Sequence, residues 1–278
     1  MISQRSGAGV RCGYVDAGGL QVHYRMVGQP DDADRLVVLL HQTPLSARHL
    51  APLLPELATE CAAVAFDTPG YGASPAPQDE WSLERYAETL WDAVDGLGPF
   101  RQVQLFGRAT GTVLAVEMAR QRPEVATHVA VYGLPLYTDE ERRERLASDF
   151  GAPYVPVLDG SHVQGLWDRI RGQYPQLAPA DVEIHLRDHL ATEGDFGRGY
   201  RAMWRYDLRS NVASLPMPVL SIGGTADRVN PYFARTVGHL PEAEHVELEG
   251  ADDFLAERDP ARLGALLRRF FELREPRA

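Results

Sequence analysis

The five residues Gly107-Arg108-Ala109-Thr110-Gly111 constrain this chain more than any other stretch. They close the apolar run Gln102-Val103-Gln104-Leu105-Phe106 and open the helical run from Thr112 to Ala119. A strand that turns at once into a helix needs minimal side chains at the bend, and the two glycines supply them. The stretch has the shape of a nucleophile elbow, Gly-x-Ser-x-Gly, in which a strained central residue holds its side chain up at the carboxyl edge of a sheet. Here the central residue is Ala109, whose methyl group carries no nucleophile.

Around this stretch, strand and helix signals alternate. Val10 to Val15 and the set Leu20, Val22, Tyr24 and Met26 read as antiparallel strands joined at Gly18-Gly19. The continuous apolar runs 36–40 and 62–66 are expected of central parallel strands covered on both faces. Leu50, Leu53, Leu54 and Leu57 fall at helical spacing, as do Leu83, Tyr86, Ala87, Leu90, Trp91 and Val94. Strands at Thr127–Tyr132, Pro218–Ile222 and His245–Leu248, a short helix from Pro231 and a last helix from Pro260 to Leu273 complete the pattern. It predicts a doubly wound α/β sheet.

The stretch 137–205 breaks the alternation, being charged, aromatic and helical without a core strand. It reads as an inserted lid between core segments 1–136 and 206–278, with helices over Asp139–Phe150, His162–Gln173 and Pro179–Ala191. The charged run Asp139 to Arg145 reads as a solvated helix face. Disorder is expected only for the first nine residues and the last few.

Four local signals, in order, resemble the α/β-hydrolase superfamily over nearly the whole length. His41-Gln42-Thr43-Pro44 is similar to its His-Gly-x-Pro oxyanion-hole loop, and Asp67-Thr68-Pro69-Gly70-Tyr71-Gly72-Ala73-Ser74 to its Asp-x-Pro-Gly-x-Gly-x-Ser turn. The elbow is the third, and Gly224-Thr225-Ala226-Asp227 resembles the loop carrying the catalytic acid. The resemblance implies an α/β-hydrolase fold: a mostly parallel doubly wound sheet with an inserted helical lid. It assigns Asp227 to the acid position, Ala109 to the nucleophile position, and Asp253 of Gly250-Ala251-Asp252-Asp253-Phe254 to the histidine position. A Ser-His-Asp site needs a hydroxyl, an imidazole to take its proton and a carboxylate to orient the imidazole, so the acyl-enzyme route is not expected here.

Other chemistry stays open. Backbone N–H groups of Thr110 and Gln42 are the expected oxyanion hole, with the Gln42 side chain a further donor, His41 in the same loop and Arg108 beside it. His41 reads equally as part of a structural turn. Asp227, Asp252 and Asp253 are expected to converge, where neighbouring carboxylates raise one pKa and make a base; the alternative is a solvated turn at Asp252 and Asp253. Val182, His185, Leu186, His189 and Leu190 share one helix face, offering His185 and His189 as replacement imidazoles or as packed residues. The Glu of a His-Glu-x-x-His metal motif is absent, and neither metal nor cofactor is expected. The aromatic set Tyr137, Tyr154, Trp167, Tyr174, Phe196, Tyr200, Trp204 and Tyr206 reads as lining for an apolar ligand, or as core.

Composition limits the partners. All 28 basic residues are Arg, against 39 acidic ones, and a net charge of -11 argues against nucleic acid or an anionic membrane. Two cysteines are too few for a disulfide framework, and no signal peptide or membrane span is seen, so a cytoplasmic chain acting on a small molecule is expected. Three functions remain: a cofactor-free enzyme cyclising, eliminating or isomerising a lipophilic small molecule, as in secondary metabolism; a hydrolase inactivated at position 109; and a non-catalytic binder. The oligomeric state is left open.

Overall fold

The computed structural model describes residues 9–28, 34–58 and 61–274, so the termini expected to be disordered fall almost wholly outside the described residues. Antiparallel β1 (Arg11–Ala17) and β2 (Leu20–Val27) lead into β3 (Arg35–Leu40). A 3-10 segment (Ala47–Leu53) follows and runs into α1 (Leu54–Leu57). The leucine spacing predicted one α-helix here; Pro52 and Pro55 break the backbone ladder and leave the tighter segment.

The core continues with β4 (Ala62–Phe66), α2 (Leu83–Leu97), β5 (Gln102–Arg108), α3 (Thr110–Gln121) and β6 (Ala126–Tyr132). Between β6 and the next strand lie α4 (Asp139–Leu146), α5 (Ser161–Gln173), α6 (Pro179–Leu190), α7 (Arg198–Arg205) and α8 (Leu208–Ala213). The chain closes with β7 (Val219–Gly224), α9 (Phe233–His239), β8 (Glu244–Leu248), α10 (Leu255–Arg258) and α11 (Pro260–Phe270). Helix α4 stops at Leu146, short of the expected Phe150. Helices α7 and α8 were not anticipated, being too short for periodicity to resolve.

The eight strands form one sheet in the order β1-β2-β4-β3-β5-β6-β7-β8, antiparallel at its β1-β2-β4 edge and parallel elsewhere. Its two faces explain the apolar runs. Leu36, Val38 and Leu40 face the core under α2 and α3, while Val37 and Leu39 face the core under the 3-10 segment and α11. Chain direction across the sheet reverses at β3, which has β4 on one side and β5 on the other. In open α/β sheets such a switch point opens a crevice at the strands' carboxyl ends. Leu40 pairs with Gly107, so the stretches leaving β3 and β5 there, Gln42 and Ala109, leave the sheet side by side. Among the described residues no helix is long and apolar enough to cross a membrane.

Candidate functional site

The elbow forms as its glycines require. A Cβ at Gly111 would stand 2.1 Å from the carbonyl oxygen of Leu40, so only glycine lets α3 start this close to β3. Ala109 takes φ 46° and ψ −112°, a strained conformation for a residue with a Cβ. Its N–H donates to the Tyr132 carbonyl at 3.0 Å and its carbonyl accepts from the Thr112 N–H at 2.9 Å. Ala109 is half-buried, while Arg108 and Thr110 on either side are buried. The sharp turn is therefore held at full strain, and a methyl group stands at its apex.

Thr110 opens α3, where a backbone N–H has no partner inside the helix and is available to an oxyanion. Its Oγ1 accepts from the Thr43 N–H at 2.6 Å and donates to the Thr43 hydroxyl at 3.0 Å, tying the loop after β3 to the elbow. Tyr200 of α7 closes over the same loop, its hydroxyl donating to the Thr43 carbonyl at 2.6 Å. His41 has a structural part. Its Nε2 accepts from the Thr68 N–H at 3.0 Å, so Nδ1 carries the proton and donates to the Gln42 carbonyl at 3.0 Å. Burial holds its pKa below the ordinary imidazole value, and the ring stays neutral. Asp67 anchors the adjoining turn by accepting from the Ala47 and Ala73 N–H groups and from His23.

Arg108 decides the electrostatics. Its guanidinium reaches Asp227 Oδ1 at 3.0 Å and Asp253 Oδ1 at 3.4 Å, and all three side chains are at least 96% buried. It also donates to the Tyr132 carbonyl at 3.3 Å and lies over the Tyr132 ring at 4.7 Å. Gly133, at φ 66°, permits this approach, since a Cβ there would meet Arg108 at 2.4 Å. Asp253 is engaged through both oxygens: Oδ1 also accepts from Arg228 Nε at 3.1 Å, and Oδ2 from the Arg228 N–H at 3.3 Å. Asp227 is different. Oδ1 takes Arg108 and the Val229 N–H, while Oδ2 is buried with no hydrogen-bond partner among the described residues. Burial raises its pKa, Arg108 opposes the rise and Asp253 adds to it.

Three carboxylates were expected to converge; two do. Asp252 turns to Arg258 and to the Phe254 N–H at 2.9 Å, so it caps the local turn. The rise at Asp227 comes first from burial rather than from a neighbouring carboxylate, and Asp253 is neither a solvated turn residue nor a free base.

The histidines separate. His189 Nδ1 donates to the His185 carbonyl at 2.8 Å, with its ring beside Phe196, while the His185 ring packs against His49, Tyr174 and Phe254. Both His185 ring nitrogens lack partners among the described residues, and its pKa is pushed down to about 2, first by burial and then by His49. The pKa of His189 is lowered as well, again chiefly by burial. The predicted face of α6 needs correction: Asp181, Val182, His185, Asp188 and His189 are buried, while Leu190 is exposed. This helix packs against polar groups of the core.

One of those groups is His49 of the 3-10 segment, which sequence reasoning missed. Its Nε2 pairs with Asp188 of α6 at 2.8 Å and its Nδ1 with Glu257 of α10. Burial opposes the charge, but Glu257 and Asp188 outweigh it and lift the pKa to about 10, so the ring is an imidazolium at neutral pH. A signal existed in principle: a lone histidine directly before the leucine-rich stretch 50–57. Its partners lie 139 and 208 residues away, which no local pattern can supply. A narrow cavity of about 10 Å³, the room of roughly one water, is lined by His41, Gln42, His49, Arg108, Asp253 and Glu257 among others.

The aromatic set divides too. Trp204 stacks on Tyr200, which reaches the Thr43 carbonyl, at 5.5 Å, and its Nε1 is buried with no hydrogen-bond partner among the described residues. Trp167 packs on the satellite core of Ile170, Tyr174, Val182 and Phe254. Tyr206 donates to Glu117 of α3 at 2.6 Å, and Tyr154 stacks on His162.

This frame is shared with known proteins. The sequence pattern of the "Alpha/beta hydrolase family" matches residues 37–266. The 2-(acetamidomethylene)succinate hydrolase of Mesorhizobium japonicum is 23% identical over 260 residues, covering 88% of this chain and 90% of that protein. Serine hydrolase BPHL of Mus musculus is 28% identical over 200 residues, 65% of this chain and 66% of that one. The chain thus spans about two thirds of the length of that relative. The solved structure of an E-2-(acetamidomethylene)succinate hydrolase superposes with a TM-score of 0.72 at 18% identity, covering 95% of this chain and 99% of that one. These relatives are named as hydrolases, and on the extent of the sequence match the chain belongs to the alpha/beta hydrolase family.

Proposed function

We propose that this chain is an enzyme of the alpha/beta hydrolase fold that works without a nucleophile, isomerising, cyclising or eliminating from a lipophilic small molecule. The observation that carries the reading is the Arg108 bridge between Asp227 and Asp253. A hydrolase inactivated by one substitution would differ at position 109 alone, with an imidazole still beside the acid. Here a guanidinium balances two carboxylates at the acid and histidine positions, and three residues fit one another.

The chemistry follows from what each group can still do. The Thr110 and Gln42 N–H groups, with the Arg108 charge beneath, polarise a carbonyl oxygen of the substrate. Asp227 Oδ2 takes a proton from the adjacent carbon, the electron pair moves onto the oxygen, and an enolate forms. Return of the proton to another carbon is an isomerisation; loss of a leaving group on the next carbon is an elimination. Asp253 is a positioning residue, locked on Arg108 and Arg228. His185, neutral and unpartnered, offers a hydrogen bond to a ligand from the 137–205 insertion, which this reading takes as a lid. Trp204 and Tyr200 form the wall over Thr43, and His189 and Trp167 pack the lid. No cofactor enters the scheme, and a cytoplasmic setting belongs to the same reading.

The test pairs chemistry with mass. Small-molecule extract from the source organism is incubated with wild type and Asp227→Asn, and p-nitrophenyl esters with wild type, Ala109→Ser and Ala109→Ser/Asp253→His. We expect a product of unchanged mass, or one lighter by water or carbon dioxide, formed by wild type and not by Asp227→Asn, and no ester turnover by Ala109→Ser. Ester turnover restored by Ala109→Ser alone would establish the inactivated hydrolase instead. A compound retained tightly but unconverted would make the chain a binder.

A further inference from the structure

The strongest feature outside the elbow is the cluster on His49. From α6 of the insertion, Asp188 Oδ2 accepts both from His49 Nε2 at 2.8 Å and from the Ser46 hydroxyl at 3.0 Å. From α10, Glu257 takes the other ring nitrogen. The His49, Asp188 and Glu257 side chains are only 5–7% exposed. Three separate stretches of chain thus meet on one imidazole: the loop after β3, the insertion, and the segment after β8.

We infer that Asp188, Ser46, His49 and Glu257 form an ionic catch that holds α6 of the insertion closed on the core, and that its release frees the Nε2 of His49, a residue lining the cavity beneath the elbow. The inference rests on the lid reading of 137–205 and not on the proposed reaction. Charge arithmetic gives the catch its direction. An imidazolium between two carboxylates is over-balanced, so His49 keeps a buried counter-charge in Glu257 when Asp188 departs. The core half is therefore stable in the open state. The insertion half is not, because Asp188 alone would stand as an unpaired carboxylate and must reach water.

The neighbours fit a part that separates. His185, three residues before Asp188, presents an uncharged ring to His49 at 5.0 Å between centroids and adds no hydrogen bond. His41, the other imidazole near His49, is neutral and tied to its own loop. His49 Nε2, freed of Asp188, is a proton donor lining the same cavity as Gln42 and Arg108.

Backbone hydrogen exchange of the full chain tests this without any ligand. Asp188→Asn keeps the shape and removes the charge, His49→Gln removes the imidazolium, and Ser46→Ala removes only the hydroxyl. An exchange rise of at least tenfold is expected across 182–190 in the first two and a smaller rise in Ser46→Ala, with the amides of β3, β5 and β6 unchanged. The double variant Asp188→Asn/His49→Gln should exchange no faster than either single one, since each breaks the same contact. Exchange across 182–190 that stays at the wild-type rate in both single variants overturns the catch. So does a uniform rise through the sheet, which would make the cluster part of the global fold. Failure of the proposed chemistry would leave these rates untouched.

Discussion

Ala109 keeps a backbone geometry whose usual purpose is to present a nucleophile. At φ 46° and ψ −112° a Cβ is a burden, typically 1–3 kcal/mol. Ala109→Gly should relieve part of it and raise unfolding stability by about 1 kcal/mol, after the entropy that glycine adds to the unfolded chain; a denaturant titration reads the change. Arg108 is the opposite case. Arg108→Met would leave Asp227 buried without a counter-charge and Asp253 with Arg228 alone, a change expected to cost about 3–5 kcal/mol. The triple variant Arg108→Met/Asp227→Asn/Asp253→Asn should recover much of that loss in the same titration, because the charges leave together. Ala109 and the two aspartates were legible from their places in motifs. The role of Arg108 was not: its partner Asp227 lies 119 residues on, and a strand-end arginine has no local mark of burial.

At the level of elements, the sheet was readable because the runs 36–40 and 62–66 are continuous, the first two strands alternate and the helix runs are periodic. The buried face of α6 was misread for a physical reason. Periodicity finds apolar stripes, whereas Asp181, His185, Asp188 and His189 make a buried stripe that is polar. Two of the histidines at this contact should shape the pH dependence of stability in opposite senses. His185 titrates at about 2 in the fold against 6.5 when unfolded, so its contribution is present above 6.5 and is lost as pH falls below it. His49 titrates at about 10 against 6.5, so its contribution is complete below 6.5 and is lost as pH rises toward 10. His185→Phe should therefore lose less stability than wild type on going from pH 7 to pH 5. His49→Gln should lose less on going from pH 7 to pH 9. Calorimetric Tm values at the three pH settings give both comparisons, and parallel curves for variant and wild type would refute the assignments.

Across the whole molecule, the site is a product of topology. The reversal of direction at β3 sets the loops after β3 and β5 side by side, and the loops after β7 and β8 bring Asp227 and Asp253 to the same edge. Family membership, the mostly parallel doubly wound sheet and the carboxyl-edge location followed from ordered motifs in the sequence. The coupling between the insertion and the core did not, since Asp188, His49 and Glu257 join stretches that only the finished fold brings together.

The Arg108 bridge also bears on the routes open to this sequence over time. A serine at 109 finds no imidazole. A histidine placed first at 253 meets a guanidinium where an acid should orient it, and removal of Arg108 first strands Asp227 in the interior. On the proposed reading each single step toward a Ser-His-Asp site is either idle or destabilising, so a descendant of this chain is freer to elaborate what surrounds Ala109 than to acquire acyl transfer.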